Sequence, residues 1–486
     1  MASLKDKTIH GFFWSFIDNF AGQGINFIVG IILARLLTPK EFGLIGMITV
    51  FIAISGSFVN SGFSQALIRK KDCSETDYST VFYFNLFVGL FFFGVRFIAA
   101  PLISRFFNEP QLTELVRVIG SVIVIESLTI IQRTTLTKRV DFKLQTKISV
   151  ISSIFSGSIG ITMAVAGFGV WSLVAKTVSQ QSMNSFLLWL LNRWRPFFVF
   201  SLESFKNLFS FGYKLLLSGL IDTIYRNIYY LIIGKYFSAV ELGFYTRATQ
   251  FNELPSQNIN GIISRVSYPV LAQMQDNKEQ LKAGYKKLIK GTMLITFVLM
   301  ILMAATSESM IITLIGEKWR NSVIYLQLLC FVGMMYPLHS LNLNMLNVSG
   351  RSDLFLKLEV IKKILAIPTI IIGVFFGIKI MIAGMIINSL IAYYLNSYWS
   401  GKFINYPMKE QIGDILPAFF IAVITGILVF ITGNIIPFGY LVKFIVQILV
   451  GLILVLWLCE FFKVDAYLLI KEILQSKIKT FKNVRK

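Results

Sequence analysis

Long unbroken apolar runs set the rhythm of this chain. "VFYFNLFVGLFFFGV" from Val81 and "VKFIVQILVGLILVLWLCEFF" from Val442 are two of many. Runs of about 20 mostly apolar residues can cross a hydrocarbon core of about 30 Å. The runs do not alternate, which excludes the strands of a membrane barrel. The pattern predicts an all-α polytopic membrane protein with fourteen spans, at 11–34, 43–68, 80–104, 114–132, 146–166, 168–191, 207–234, 243–267, 286–307, 321–345, 357–378, 379–400, 415–433 and 439–462. The boundary between the eleventh and twelfth rests on one glycine, Gly377. Connections are short, and no soluble domain fits between spans.

The polar residues inside the spans are not scattered. In span 1, Ser15, Asp18, Asn19, Gly22, Gln23 and Asn26 share one helical face. Span 7 carries Ser218, Gly219, Asp222, Thr223 and Arg226 on one face. Span 2 has Ser57, Asn60, Ser61, Ser64 and Gln65, and span 8 has Gln257, Asn260, Gly261, Ser264 and Arg265. A charge at the bilayer centre costs on the order of 2.5–3.5 kcal/mol even on the lenient insertion scale. These faces therefore turn from lipid. They line a water-accessible cavity between two halves of the protein, or they are polar contacts between helices. The second reading suits Ser and Asn better than Asp18, Asp222 or Arg226.

One sequence occurs twice. "ILARLLTPKEFGL" from Ile32 is echoed by "IIGKYFSAVELGF" from Ile232. Ile32/Ile232, Glu41/Glu241 and Gly43/Gly243 are identical, and Arg35/Lys235 and Thr38/Ser238 keep their chemistry. A weaker echo pairs Arg139-Val-Asp141 with Arg351-Ser-Asp353. The first offset spans six helices, an even number, so spans 1–6 and 7–12 read as parallel repeats. Residues 1–200 form an N-terminal lobe, 201–405 a C-terminal lobe, 406–462 two additional helices, and 463–486 a basic tail.

The composition is 55% hydrophobic and 15% charged, with a formal net charge of +21. Such an excess could suggest nucleic acid. Its placement argues otherwise: Lys and Arg crowd the N-terminus, every second loop and the tail, and are sparse between them. This is a positive-inside distribution with both termini cytoplasmic. The opening segment reads as the first span rather than a cleavable signal. In the tail, Tyr467, Ile470, Leu474, Ile478 and Phe481 follow helical spacing among lysines. That fits an amphipathic helix on an anionic leaflet, or a solvated one. Three scattered cysteines and two histidines make no metal or redox pattern.

Several residues could act on a ligand. Lys214, Arg226 and Arg247 form a candidate cationic ladder, suited to phosphate. Tyr225 and Tyr229, with Tyr230, flank Arg226 and suit a sugar or simply pack. Gln23, Asn26, Asn60, Gln257 and Asn260 supply hydrogen bonds. Asp222 lies four residues before Arg226 and could instead neutralise it. Asp18 and Asp222 are candidates to take a proton or Na⁺; no cofactor or metal is expected. Pro255, mid-span, is a candidate hinge or a fixed bend. Arg96, Glu126 and Lys176 read equally well as buried pairs.

The chain resembles the Wzx-type polysaccharide flippases, in the branch of colanic-acid and teichuronic-acid exporters within the multidrug/oligosaccharidyl-lipid/polysaccharide exporter superfamily. The resemblance is carried by "ILARLLTPKEFGLIGMITVF" from Ile32, "GFSQALIRKKDCSETDYSTVFYFNL" from Gly62, "KRVDF" from Lys138 and "FGVWSLV" from Phe168. "LPSQNINGIISRVSYPVLAQMQDN" from Leu254 and "LIGEKW" from Leu314 continue it. It implies fourteen helices as two six-helix lobes plus two. It also implies a non-enzyme that flips an undecaprenyl-pyrophosphate-linked oligosaccharide to the periplasmic leaflet of the bacterial inner membrane. Partners would be that lipid-linked substrate, membrane lipids and polysaccharide polymerase machinery, with a monomeric chain. A drug/cation antiporter of the same superfamily remains the alternative, favoured by an acid-dominated cavity. A glycosyltransferase, polymerase or ligase would need an acid–base or metal site in a sizeable outer loop, which the spacing does not offer.

Overall fold

The computed structural model describes residues 22–60, 62–468 and 471–472, with backbone alone at 262, 264–266 and 352. Ser15, Asp18, Asn19, Ser61, the side chains of Ser264 and Arg265, and the tail positions Ile470, Leu474, Ile478 and Phe481 lie outside the described residues. All regular structure among the described residues is helical. Eight of these helices are long and apolar enough to cross a membrane. The chain divides into two compact units, Met1–Gly243 and Phe244–Lys486.

The first unit holds α1 (Gly22–Leu36), α2 (Pro39–Asn60), α3 (Phe63–Arg69), α4 (Glu75–Phe107), α5 (Leu112–Ser127), α6 (Ile130–Lys138), α7 (Phe142–Val165), α8 (Val170–Leu191) and α9 (Leu202–Tyr236). Helix α10 (Ala239–Ala272) begins there. Polar caps set several starts. Ser74 and Asp77 form a reciprocal capping box on α4, and Asp141 and Ser201 accept from the first turns of α7 and α9. The core gathers Val59, Phe63, Phe82, Ile131, Trp194 and Leu208.

Two expected spans are broken, each for a local reason. Span 2 divides into α2 and α3 at Gly62, which adopts φ +71°. There the Gly212 backbone of α9 approaches so closely that an added Cβ would lie 2.6 Å from its carbonyl oxygen. Span 4 divides into α5 and α6 where the Ser127 and Thr129 hydroxyls donate to the Val124 and Glu126 carbonyls at 2.7 and 2.8 Å. Such side-chain bonds end a helix by taking its last acceptors.

The repeated sequence meets its own copy. Gly43 in the first turn of α2 faces the Ala239 carbonyl, where a Cβ would fall 1.6 Å from the oxygen. Gly243 in the first turn of α10 faces the Pro39 carbonyl, with 1.9 Å for the same construction. The two helix starts cross backbone to backbone, and each needs a residue without Cβ. Each start also carries its own cap. Glu41 accepts from the Thr38 hydroxyl at 2.8 Å, and Ser238 accepts from the Glu241 amide at 3.1 Å.

The second unit holds α11 (Lys278–Ala305), α12 (Ser307–Ile315), α13 (Ser322–Gly333), α14 (Tyr336–Val348), α15 (Ser352–Phe376), α16 (Ile378–Ile404), α17 (Met408–Ile435) and α18 (Tyr440–Phe461). Expected span 10 is two helices. Pro337 opens α14, and a proline tolerates a first turn but not a helix interior. Helix α12 was an expected loop. The break at Gly377 is present, at φ +100°. Pro255 does not interrupt α10, which runs continuously past it.

Helices α11 and α17 carry a ladder of charge. Lys282 and Lys286 both reach Glu410 at 2.9 Å, and Lys286 and Lys290 both reach Asp414 at 3.1 Å. Lys290 also reaches Asp465, beyond α18, at 3.0 Å. The spacing of four places each set of charges on one face of its helix.

Candidate functional site

The polar stripe of α2 opens onto a space. Ser57 and Asn60, with Gln65 of α3, line a cavity of about 410 Å³ in the first unit. The opposite wall is α9, through Leu215, Gly219 and Thr223. The Ser57 and Thr223 hydroxyls meet at 2.9 Å and tie the two walls together. A second cavity, of about 490 Å³, lies in the second unit beside Asp414 and Lys290. Its carboxylates are already engaged by the ladder, and its other walls are largely apolar Phe420, Ile421 and Ile424.

Glu126, at the end of α5, is the one charged residue lining the first-unit cavity. Its Oε1 accepts from the Asn60 amide at 3.5 Å, a long contact, while that amide also donates to the Gly56 carbonyl at 3.0 Å. Arg96 of α4 and Arg133 of α6 bear on the carboxylate electrostatically. Arg96 is buried and donates to the Gly120 carbonyl at 2.9 Å. The cavity thus offers hydroxyls, amides and a carboxylate, an arrangement suited to sugar hydroxyls, a proton or a cation.

The other expected site residues are spread through the two units. Arg226 donates from Nε to Asp222 at 2.8 Å, so the pair within α9 forms. Arg226 is 68% exposed, and a surface pair of this kind contributes about 0.3–0.5 kcal/mol. Lys214 is exposed beside the Tyr213 ring, Tyr225 is half-buried and Tyr229 is buried. Gln23 is exposed on α1, and Asn26 donates to the Gly22 carbonyl at 2.9 Å and to Ser153 at 3.3 Å. In the second unit, Arg247 is enclosed, 5.7 Å from the Trp319 ring centre and bonded to Gln250. Gln257 is exposed, and Asn260 and Pro255 are half-buried. Lys214, Arg226 and Arg247 therefore have three different surroundings: an open surface, a salt bridge and an enclosed aromatic contact.

The polysaccharide biosynthesis protein family matches residues 32–324, more than half of the chain. The chain belongs to this family. It is 29% identical over 359 residues to the teichuronic acid biosynthesis protein TuaB of Bacillus subtilis, covering 73% of this chain and 74% of that one. It is 28% identical over 379 residues to the lipopolysaccharide biosynthesis protein WzxC of Escherichia coli, covering 76% of each. Among solved structures, the lipid II flippase MurJ in an inward closed conformation superposes with a TM-score of 0.75 at 14% identity, covering 94% of this chain and 99% of that one. An inward-facing multidrug transporter of the MOP superfamily gives 0.61 at 16% identity, over 79% and 94%. At these identities the structural likeness speaks for the fold. With its apolar helices, this family member is an integral membrane protein with the fold of MOP-superfamily exporters.

Glu126 was legible in the sequence only as an acid in an apolar span. Nothing local separates an acid that meets a base from one that meets a cavity. The fold decides this by bringing α2, α5 and α9 together.

Proposed function

We infer that this protein is a flippase. It moves an undecaprenyl-pyrophosphate-linked oligosaccharide from the cytoplasmic to the periplasmic leaflet of a bacterial inner membrane, for a surface polysaccharide. The observation that carries this reading is a cavity lined by hydroxyls, amides and one carboxylate, in a member of a polysaccharide biosynthesis family whose chain is otherwise strongly apolar. A glycan needs wet hydrogen-bonding walls, while its lipid tail stays in the bilayer. Transport proceeds by alternating access, with both termini cytoplasmic and no covalent chemistry.

Arg226 is our candidate for the pyrophosphate. Asp222 engages its Nε, leaving the terminal edge of the guanidinium for bidentate contact with phosphate oxygens. Gln23, Asn26, Asn60, Gln257 and Asn260 are candidates for glycan hydroxyls, and Pro255 for a hinge.

The deciding experiment deletes the gene and examines lipid-linked intermediates and surface glycan. Complete repeat units held on the inner leaflet, with surface polymer lost, support the flippase. Normal glycan with new sensitivity to cationic drugs supports the antiporter, a reading that the carboxylate in the cavity also favours.

A further inference from the structure

Glu126 stands where a charge can control a packing contact. It borders the cavity, and its nearest side-chain donor, Asn60, belongs to the same helix as Ser57. Ser57 in turn ties α2 to α9, the helix that carries Asp222 and Arg226. Gly62 lets the α9 backbone come within contact of the same junction. Every element around the carboxylate contributes an identified group. Helix α2 offers Asn60, α4 Arg96, α6 Arg133, α3 Gln65, and α9 the uncharged Leu215, Gly219 and Thr223.

We propose that Glu126 is the proton-coupling carboxylate of this transporter, binding and releasing a proton through the first-unit cavity. The proposal rests on the flippase reading above and names the group that couples it to the proton gradient. A proton entering from the outer side converts the carboxylate to the neutral acid. The acid no longer attracts the Asn60 amide or the two arginines, and the α2–α9 contact relaxes. Release of the same proton to the cytoplasm restores the carboxylate and the contact. One proton moves inward per cycle and no bond but O–H is made or broken.

A proton suits this place better than a metal ion. Sodium needs several converging oxygens, whereas the neighbours of Glu126 are N–H donors: one amide and two guanidinium groups. The ladder acids of α17 are a different case, each held between two ammonium groups.

The test uses the full chain, purified and reconstituted in vesicles. A hydrophobic carbodiimide reacts with a protonated carboxyl, so labelling of Glu126, read by peptide mass spectrometry, reports its protonation directly. In the unaltered protein this labelling should fall about tenfold per pH unit above its midpoint, as for a single titrating group. It should be insensitive to Na⁺. In cells, Glu126→Gln should lose export with the protein still inserted, and Glu126→Asp should restore part of it with a shifted pH profile. Labelling that is absent at every pH, as for a permanent salt bridge, overturns the proposal. So does labelling that Na⁺ suppresses at fixed pH, and so does export by Glu126→Gln with an unchanged dependence on the proton gradient. The labelling does not depend on substrate. A titrating Glu126 in a protein whose deletion leaves glycan export intact would therefore reject the flippase reading and keep the proton site.

Discussion

Glu126 and Asp414 are both carboxylates near helix ends of an apolar chain, both border cavities, and the fold treats them in opposite ways. Asp414 is held by Lys286 and Lys290, each at 3.1 Å, and by the Tyr406 hydroxyl at 2.7 Å. Its neighbour on the same face, Glu410, is held by Lys282 and Lys286. Glu126 has one long amide contact and faces open volume. The difference teaches where charge serves cohesion and where it is left available. A carboxylate between two ammonium groups has little reason to change state. A carboxylate at a cavity wall with weak neighbours can.

The largest expected effect breaks the comparison at its free end. Glu126→Gln should reduce export at least about tenfold, equivalent to about 1.4 kcal/mol in the barrier, with little change in the melting temperature of the purified protein. A matching loss of stability would place Glu126 with Asp414 as a cohesive charge.

The opposite end should behave oppositely. Asp414→Asn leaves two half-buried lysines short of charge and should cost about 1–3 kcal/mol of stability, measured by thermal unfolding in detergent. Export per folded molecule should be retained. A double-mutant cycle of Lys290 and Asp414 should return a coupling of about 0.5–1 kcal/mol. The Lys290–Asp465 pair should return less, since Asp465 is 78% exposed.

A subtler change tests whether the Glu126 junction is mechanical. Thr223→Val removes the bond to Ser57 and should cost about 0.5–1.5 kcal/mol. It should also shift the pH profile of export, which a bond of purely structural value would leave in place.

The smallest effect concerns an exposed pair. Arg351 grips Asp353 with two hydrogen bonds, at 2.8 and 2.7 Å, and so holds its carboxyl at about 2, below the ordinary carboxylate range. A depressed carboxyl stabilises the fold above its unfolded pKa, and that contribution fades as pH falls from about 4 toward 2. In Arg351→Ala, Asp353 should titrate near the ordinary value by NMR, with export unaltered at neutral pH.

Much of the helical layout was legible because it is written locally. Apolar length marks α7, α16 and α18, and the single glycine at 377 gives a true break. Where reading failed, a local competitor went unrecognised. The hydroxyls of Ser127 and Thr129 end α5, and Pro337 restarts the chain at α14. The site was legible as stripes rather than as partners. Ser57, Asn60 and Thr223 do line a cavity. Arg247, grouped by its charge with Arg226, lies against Trp319, which an isolated helical face cannot reveal.

The sequence by itself determined that this chain is helical, membrane-embedded and polar along particular faces, because insertion energy and helical period are properties of neighbouring residues. The repeated sequence at Ile32 and Ile232 was visible, but its meaning was not. Only the folded chain sets Gly43 against Ala239 and Gly243 against Pro39, so that the two copies form one joint. Only the folded chain sets Asn60 beside Glu126, 66 residues away, and Asp414 between lysines of α11. Electrostatic attraction falls off over a few ångströms in a screened medium, and a partner distant in sequence comes that close only when helices pack.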